Sequence, residues 1–107
     1  MSTAPKSQTL HLTELAAYQD GSVVSRQITK ADGGNVTLFA FDEEQGLSEH
    51  SSPHDALVHI LDGEAEVHLD GVLYTLTAGE AIIMPANVPH ALKAVKRFKM
   101  LLTMVRD

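Results

Sequence analysis

The sequence predicts an all-β domain, an antiparallel sandwich or barrel of about eight short strands with one short helix near the N-terminus. Three observations predict it: β-branched apolar runs, alternation of apolar and polar residues, and Gly-containing turn pairs at an eight-residue spacing. With 107 residues, 44% of them hydrophobic and 21% charged, the chain has room for one folded domain with one core. We therefore treat residues 1–107 as a single domain.

The N-terminal part divides into a tail and a helix. Residues 1–8 are small and polar and include a proline, which predicts a flexible tail. Within residues 10–20, apolar side chains recur at helical spacing before the stop signal Asp20-Gly21, so we predict a short helix of about two turns. We assign the barrel itself to residues 22–105, with the helix as its flank.

The first predicted hairpin joins two β-branched runs, residues 23–29 and residues 35–41. The turn signal Asp32-Gly33-Gly34 stands between them. In the second run both faces are largely apolar, and a strand of that kind is covered on two sides.

A regular stretch follows, with turn pairs at positions 62–63, 70–71 and 78–79. Asp-Gly between alternating apolar residues favours a tight hairpin, because both central positions of a type I′ turn need a positive φ. Residues 56–84 are therefore predicted to form an antiparallel meander. The closing run, residues 98–105, is apolar on both faces, and we expect it to help form a homodimer.

Charge and composition limit the classes of partner. The formal net charge of −6 predicts neither a nucleic acid nor an acidic membrane as a partner, and the basic cluster at residues 93–99 is interpreted as a solvated rim. No cysteine is present, so any metal must be held by nitrogen and oxygen ligands. Because residues 1–12 lack a signal-peptide pattern and no stretch approaches the ~20 apolar residues of a membrane span, the expected location is the cytoplasm.

Two segments carry histidine at the end of an apolar strand. Residues 46–63 read GLSEHSSPHDALVHILDG, and residues 79–94 read GEAIIMPANVPHALKA. Neutral imidazole is a common ligand of divalent metals. His50, His54 and His90 are therefore the leading candidates for metal ligands.

The first segment resembles the first motif of the cupin superfamily, which has two histidines, a glutamate and a closing glycine. His50 matches the first histidine and Gly63 the glycine, whereas Ser52 and Ala56 stand where the second histidine and the glutamate would be. The similarity extends over most of residues 35–105. It implies a small single-domain, RmlC-like cupin, whose fold is a double-stranded β-helix or jelly-roll barrel.

The second segment resembles the second cupin motif. Gly79, Pro85 and His90 match it, whereas Asn87 and Ala94 replace a glycine and an asparagine. The resemblance thus implies a metal site from which two of the four usual ligands are missing.

His54 is the candidate for a third ligand. Along an extended strand residues 50, 52, 54 and 56 share one face, which would turn His54 into the barrel beside His50. However, Ser51-Ser52-Pro53 predicts a bend that would break this alternation. Both orientations of His54 stay open at this point.

Three functions compete. In the first, the three histidines hold Fe, Mn, Ni or Zn, and the resemblance implies a dioxygenase-like oxidoreductase that acts on a small organic substrate. In the second, the protein is a non-catalytic cupin that binds a small ligand, since two ligands are missing and no general acid or base is evident. In the third, it is a regulatory or structural dimer. The sequence assigns no catalytic residue.

Overall fold

Antiparallel β-strands make up nearly all of the regular structure in the computed structural model, which describes residues 3–106. The strands are β1 (Val23–Ala31), β2 (Gly34–Phe41), β3 (Gly46–His50), β4 (Asp55–Leu69), β5 (Val72–Thr77), β6 (Ala81–Met84), β7 (His90–Lys93) and β8 (Phe98–Val105). This confirms the all-β fold class. Within residues 3–106, no helical segment has the length and apolar character needed to span a bilayer.

The strands form two sheets that share β4. The first sheet has the order β1-β2-β8-β4-β6, and the second sheet has the order β3-β7-β4-β5. Alternating side chains of both sheets enclose one apolar core, in which the rings of Phe41 and Phe98 stack with their centroids 4.5 Å apart. This is the curled jelly-roll arrangement that the sequence predicted.

The predicted turn at Asp62-Gly63 is wrong. β4 continues through this pair as one strand of 15 residues, and its pairing with β8 shifts in register between Ile60 and Asp62. Gly63 has a φ of +79°, and a Cβ there would overlap the carbonyl oxygen of Arg97. The glycine therefore allows a bulge, at which β4 leaves the first sheet and enters the second.

The other turn signals give turns. Asp70 and Gly71 both have positive φ values, 50° and 81°, and connect β4 to β5 in a tight hairpin. Asp32 and Gly33 connect β1 to β2, where Ala31 pairs with Gly34.

The predicted helix over residues 10–20 is reduced to a single 3₁₀ turn, Leu12–Glu14. After this turn the chain runs across the outer face of the first sheet. There Leu15, Ala16 and Tyr18 pack on apolar side chains of the sheet, namely Leu38, Ala40, Leu61 and Leu101. Contact with the sheet thus decides the conformation of a segment that helical spacing alone assigned to a helix.

Of the predicted flexible tail, residues 1–8, Met1 and Ser2 lie outside the described residues. Ala4 is buried, and its backbone N–H donates to the carbonyl oxygen of Ile28 at 3.0 Å. This hydrogen bond holds the chain at the free edge of β1.

A polar cluster fastens the N-terminal segment to the barrel. The hydroxyl of Tyr18 donates to Asp62 at 2.6 Å, and the Tyr18 ring lies 5.3 Å from the Arg97 guanidinium and 4.8 Å from the Lys99 ammonium. Arg97 also donates to Asp42 at 2.7 Å, and this bond together with the backbone N–H of Gly21 lowers the pKa of Asp42 to about 2. Two members of the basic cluster are therefore engaged within the chain.

Part of the outer face of the first sheet stays exposed. Leu57 and Ile83 are cross-strand partners there, and 37% and 63% of their surfaces remain accessible; Val105 lies nearby on β8. An exposed apolar patch of this kind is compatible with the expected homodimer. The homodimer itself stays a prediction.

The bulge at Gly63 makes a stability prediction. Gly63→Ala should lower the free energy of unfolding by at least ~2 kcal/mol more than Gly71→Ala, because only at position 63 does the new methyl group meet backbone. Both glycines have a positive φ, so the strain of about 1–2 kcal/mol that alanine suffers there is common to both variants. Urea unfolding followed by circular dichroism measures the difference. Equal losses in the two variants would contradict the role given to the bulge.

Candidate metal centre

The pairing of β3 with β7 brings His50 and His90 together. His50 is the last residue of β3 and His90 the first of β7, and a register shift after Leu47 places them opposite each other. Their ring centroids lie 4.4 Å apart with the planes at 71°, and their Nε2 atoms are 3.1 Å apart. Two of the three candidate ligands, one from each sequence segment, therefore meet at one point.

The second nitrogen of each ring fixes its tautomer. Nδ1 of His50 lies 2.7 Å from the carbonyl oxygen of Ser48, and Nδ1 of His90 lies 3.1 Å from that of Val88. A carbonyl oxygen only accepts hydrogen bonds, so each Nδ1 carries the hydrogen. In the neutral rings both Nε2 atoms then carry lone pairs. The two Nε2 atoms lie 3.1 Å apart, a distance that a proton or a metal ion shared by both nitrogens would bridge.

Burial favours the neutral form of the deeper ring. Only 5% of the surface of His90 is exposed. Its burial lowers the pKa of His90 below the usual value. The hydrogen bond to the Val88 carbonyl opposes this shift less strongly, and the nearby His50 lowers the pKa by a still smaller amount. Neutral imidazole is the form that binds metals, so the lowered pKa of His90 is compatible with a metal-ligand role.

The spacing of the two nitrogens fits the metal implied by the resemblance. Two histidine nitrogens that bind one ion at ~2.1 Å are about 3.0 Å apart at the right angle of an octahedral site and about 3.4 Å apart at the tetrahedral angle. The observed separation is 3.1 Å. Imidazole nitrogen suits Fe, Ni and Zn. The residues present therefore fit a divalent metal ion.

His54 lies apart from this pair. The segment from Ser51 to His54 belongs to no strand, so the alternation that would have aligned His54 with His50 ends there. The Nδ1 atom of His54 lies 3.2 Å from the hydroxyl of Ser52. Within residues 3–106 no group of three or more His, Cys, Asp or Glu side chains is placed to hold one ion. A ligand role for His54 stays a prediction without a structural contact.

Ala56 occupies the position at which the cupin motif has a glutamate. It is buried, belongs to the core cluster and pairs with Met84 across β4 and β6. A methyl group and a thioether thus stand where the motif would supply a carboxylate.

Sequence reasoning missed the contacts that orient the site. The carbonyls of Ser48 and Val88 each lie two residues before their histidine, and no residue type marks a backbone acceptor. The carboxylate of Asp55 was also missed: it accepts the backbone N–H of Ala86 at 2.8 Å, which ties together the two loops that lead to the site. The signals available for that contact were an aspartate at the start of a strand and a proline-containing loop.

Comparison with known proteins agrees with this architecture. A family model described as a cupin domain matches residues 37–105. The chain belongs to the cupin domain family. Its structure superposes on a conserved protein of unknown function from Streptococcus pyogenes with a TM-score of 0.92, at 37% identity over 100% of this chain and 96% of that chain. An RmlC-like cupin from Shewanella frigidimarina, with a TM-score of 0.77 and 21% identity over 94% of each chain, shares the fold.

One curated relative of this cupin is named after an enzymatic activity. The protein named pyrimidine/purine nucleoside phosphorylase from Chlorobium chlorochromatii (strain CaD3) is 36% identical over 84 residues. The matched stretch covers 78% of the present chain and 80% of the relative.

The proximity of the two rings predicts coupled titration in the metal-free protein. His50→Ala should raise the pKa of His90, because it removes the charge that opposes protonation of the buried ring and opens that ring to water. Two-dimensional NMR of the imidazole C–H groups between pH 4 and 9 reads this pKa directly. His59→Ala, on another part of the barrel, serves as the matched control. An unchanged or lower pKa of His90 in the His50→Ala variant would contradict the geometry.

Proposed function

We propose that this cupin binds a divalent metal ion through the Nε2 atoms of His50 and His90 and holds a small organic molecule beside it. The observation that carries the proposal is the 3.1 Å separation of the two Nε2 atoms, whose Nδ1 partners are backbone carbonyl oxygens. A bound ion supplies positive charge and open coordination positions for an oxygen-bearing ligand.

The chain itself orients the two nitrogens and controls access to them. Hydrogen bonds to the carbonyls of Ser48 and Val88 hold each ring in one tautomer and one direction, as outer partners of metal-binding histidines do. His90 is buried against the barrel, whereas His50 is exposed. A ligand therefore approaches from the side of His50, and the apolar core excludes water from the other side.

Oxidoreductase chemistry is the first candidate for an activity of this site. A site with only histidine nitrogens suits Fe(II), and the cupin resemblance implied a dioxygenase-like reaction on a small organic substrate. Oxygen consumption by the Fe(II)-loaded protein across a panel of small substrates tests it. Uptake that depends on both substrate and His90 supports this candidate.

Nucleoside phosphorolysis is the second candidate, and the relative from Chlorobium chlorochromatii favours it. In this reaction phosphate attacks the sugar carbon of the glycosidic bond, the C–N bond breaks, and sugar 1-phosphate and the protonated base are released. Phosphate is an anion, and the proposed ion would provide the positive charge to hold it.

Incubation with uridine or adenosine and inorganic phosphate tests phosphorolysis, since release of the free base is read by chromatography. Base release that His90→Ala abolishes supports the second candidate. If the protein binds metal but shows neither oxygen uptake nor base release, the result supports the alternative predicted from the sequence, a non-catalytic ligand-binding or regulatory cupin.

Metal binding itself predicts a graded response to single histidine changes. His50→Ala and His90→Ala should each weaken Co²⁺ binding by more than the roughly 10- to 100-fold that loss of an outer partner costs, because each removes a direct ligand. His54→Ala should weaken it less, since His54 contacts Ser52 rather than the pair. Calorimetry with Co²⁺ measures the affinities, with His59→Ala as the control.

The affinity for Co²⁺ should also depend on pH. Affinity should fall as pH drops below about 6, since protonated imidazole does not bind metal. Affinity that is flat between pH 5 and 8, or that His90→Ala leaves unchanged, would contradict the proposal.

A further inference from the structure

We infer that β5 pairs edge to edge with the β5 strand of a second copy of this chain, so that the second sheets of the two copies become one continuous sheet. This surface lies apart from the exposed patch of Leu57 and Ile83, which belongs to the first sheet. The inference concerns assembly and does not depend on metal binding by the histidine pair.

β5 has one free edge. Among residues 3–106, β5 pairs with β4 alone, and no strand lies along its other side. In a hairpin with a two-residue turn, the residues that flank the turn, here Leu69 and Val72, exchange their backbone hydrogen bonds. This bonding recurs at every second residue, so Leu73, Thr75 and Thr77 direct their backbone N–H and C=O groups away from β4.

The hydrogen bond of Thr77 agrees with this direction. Its backbone N–H donates at 2.7 Å to the carboxylate of Glu80, a residue that belongs to no strand. Within the described part of the chain, the outward backbone groups of Leu73 and Thr75 have no such partner. An unpaired row of backbone groups is a template for a further strand.

Apolar side chains are uncovered on both faces of β5. Leu76 is buried in the core, and Val72 and Tyr74 alternate with it on the inner face. Nevertheless 51% of Val72 and 40% of Tyr74 are exposed, and so is 50% of Leu73 on the outer face. Consecutive exposed apolar residues on an edge strand mark a surface at which proteins associate.

The edge strands of the two sheets differ in charge and length. β1 carries Arg26 and Lys30, and the hydrogen bond from Ala4 to Ile28 occupies part of its edge. β3 has five residues and contains Glu49, and β6 has four residues. β5 has six residues, none of them charged and none a proline. Natural edge strands avoid unwanted pairing through charge, proline or short length, so β5 is the edge best suited to accept a strand.

A second copy of the chain is the partner that β5 itself specifies. A two-fold axis brings identical strands together in antiparallel orientation, and β5 contributes no charge that would meet a like charge on its counterpart. Glu64 and Glu66 lie one strand away on β4, so three strand spacings, about 14 Å, separate them from β4 of the second copy. This distance exceeds the Debye length of about 8 Å at physiological salt.

The free backbone groups determine the register. Leu73 of each copy pairs with Thr75 of the other, which uses the outward groups that no described residue binds. Tyr74 then lies on the two-fold axis opposite Tyr74 of the second copy, in a non-hydrogen-bonded pair whose Cα atoms are about 4.5 Å apart. Val72 lies opposite Leu76 of the second copy, so the two Val72 residues are about 13 Å apart along the strands.

A single introduced cysteine tests this register, because the chain has no cysteine of its own. Tyr74→Cys should form a disulfide-linked dimer on mild oxidation with diamide, since the Cα separation lies in the range that a disulfide spans. Val72→Cys is the matched control: it lies on the same face of β5 and is similarly exposed, but its counterpart is too distant. On a non-reducing gel, only Tyr74→Cys should shift to twice the chain mass. Equal cross-linking of the two variants, or none in Tyr74→Cys, would overturn the inference.

Two further variants test the pairing without a cross-link. Thr75→Pro removes an outward N–H but spares the bonds to β4, so it should halve the mass measured by sedimentation equilibrium, whereas Thr75→Val keeps the N–H and should retain the wild-type mass. Leu73→Lys places a charge at the free edge and should also halve the mass. Circular dichroism and thermal melting check that each variant folds. A wild type that sediments as a monomer, or a Leu73→Lys variant that keeps the wild-type mass, would overturn the inference.

Discussion

The hydrogen bonds from the Nδ1 atoms of His50 and His90 to backbone carbonyls are the interaction on which the site depends. They leave each ring with a single lone pair, and the pairing of β3 with β7 points both lone pairs at the same position. Without the carbonyls, one ring could turn its N–H toward the other and close the gap with an ordinary hydrogen bond. With them, both Nε2 atoms are left as acceptors, which is the arrangement on which the proposed metal site rests.

Parts of the fold outside the histidine pair hold the two rings in position. β4 crosses from one sheet to the other at the Gly63 bulge, so a single strand supports both β8 in the first sheet and β7, the strand of His90, in the second. The Asp55 carboxylate accepts a hydrogen bond from the Ala86 N–H, and the Ser52 carbonyl accepts one from the Asn87 N–H, so the two loops next to the histidines are held together. The two rings are thereby held in place, which would lower the entropy cost of binding the proposed metal.

Much of the fold follows from local sequence. Alternation of apolar residues and the turn pairs at Asp32-Gly33 and Asp70-Gly71 correspond to strands and hairpins in the structure. The same Asp-Gly signal at residues 62–63 gives a bulge, because the carbonyl of Arg97, distant in sequence, packs against Gly63. The turn and the bulge carry the same Asp-Gly pair. Only the contact with a part of the chain that is distant in sequence distinguishes the bulge from the turn.

The site was predictable to a lesser extent. Resemblance to the cupin motifs singled out His50 and His90, whereas the sequence left both orientations of His54 open. β3 ends at His50, so strand alternation does not extend to residue 54, and the ligand role of His54 stays a prediction. The tautomers were beyond sequence reasoning, because they depend on which carbonyl each ring meets. The helix predicted for residues 10–20 failed for a related reason: contact with the outer face of a sheet outweighed a weak helical preference.

The most direct test of this account is the tautomeric state of the two rings, read by long-range ¹H–¹⁵N NMR correlation of the metal-free protein at pH 7.5. The account predicts hydrogen on Nδ1 and none on Nε2 in both His50 and His90, and a shift of both Nε2 resonances when Zn²⁺ is added. A ring with hydrogen on Nε2, or Nε2 resonances that do not respond to Zn²⁺, would contradict it.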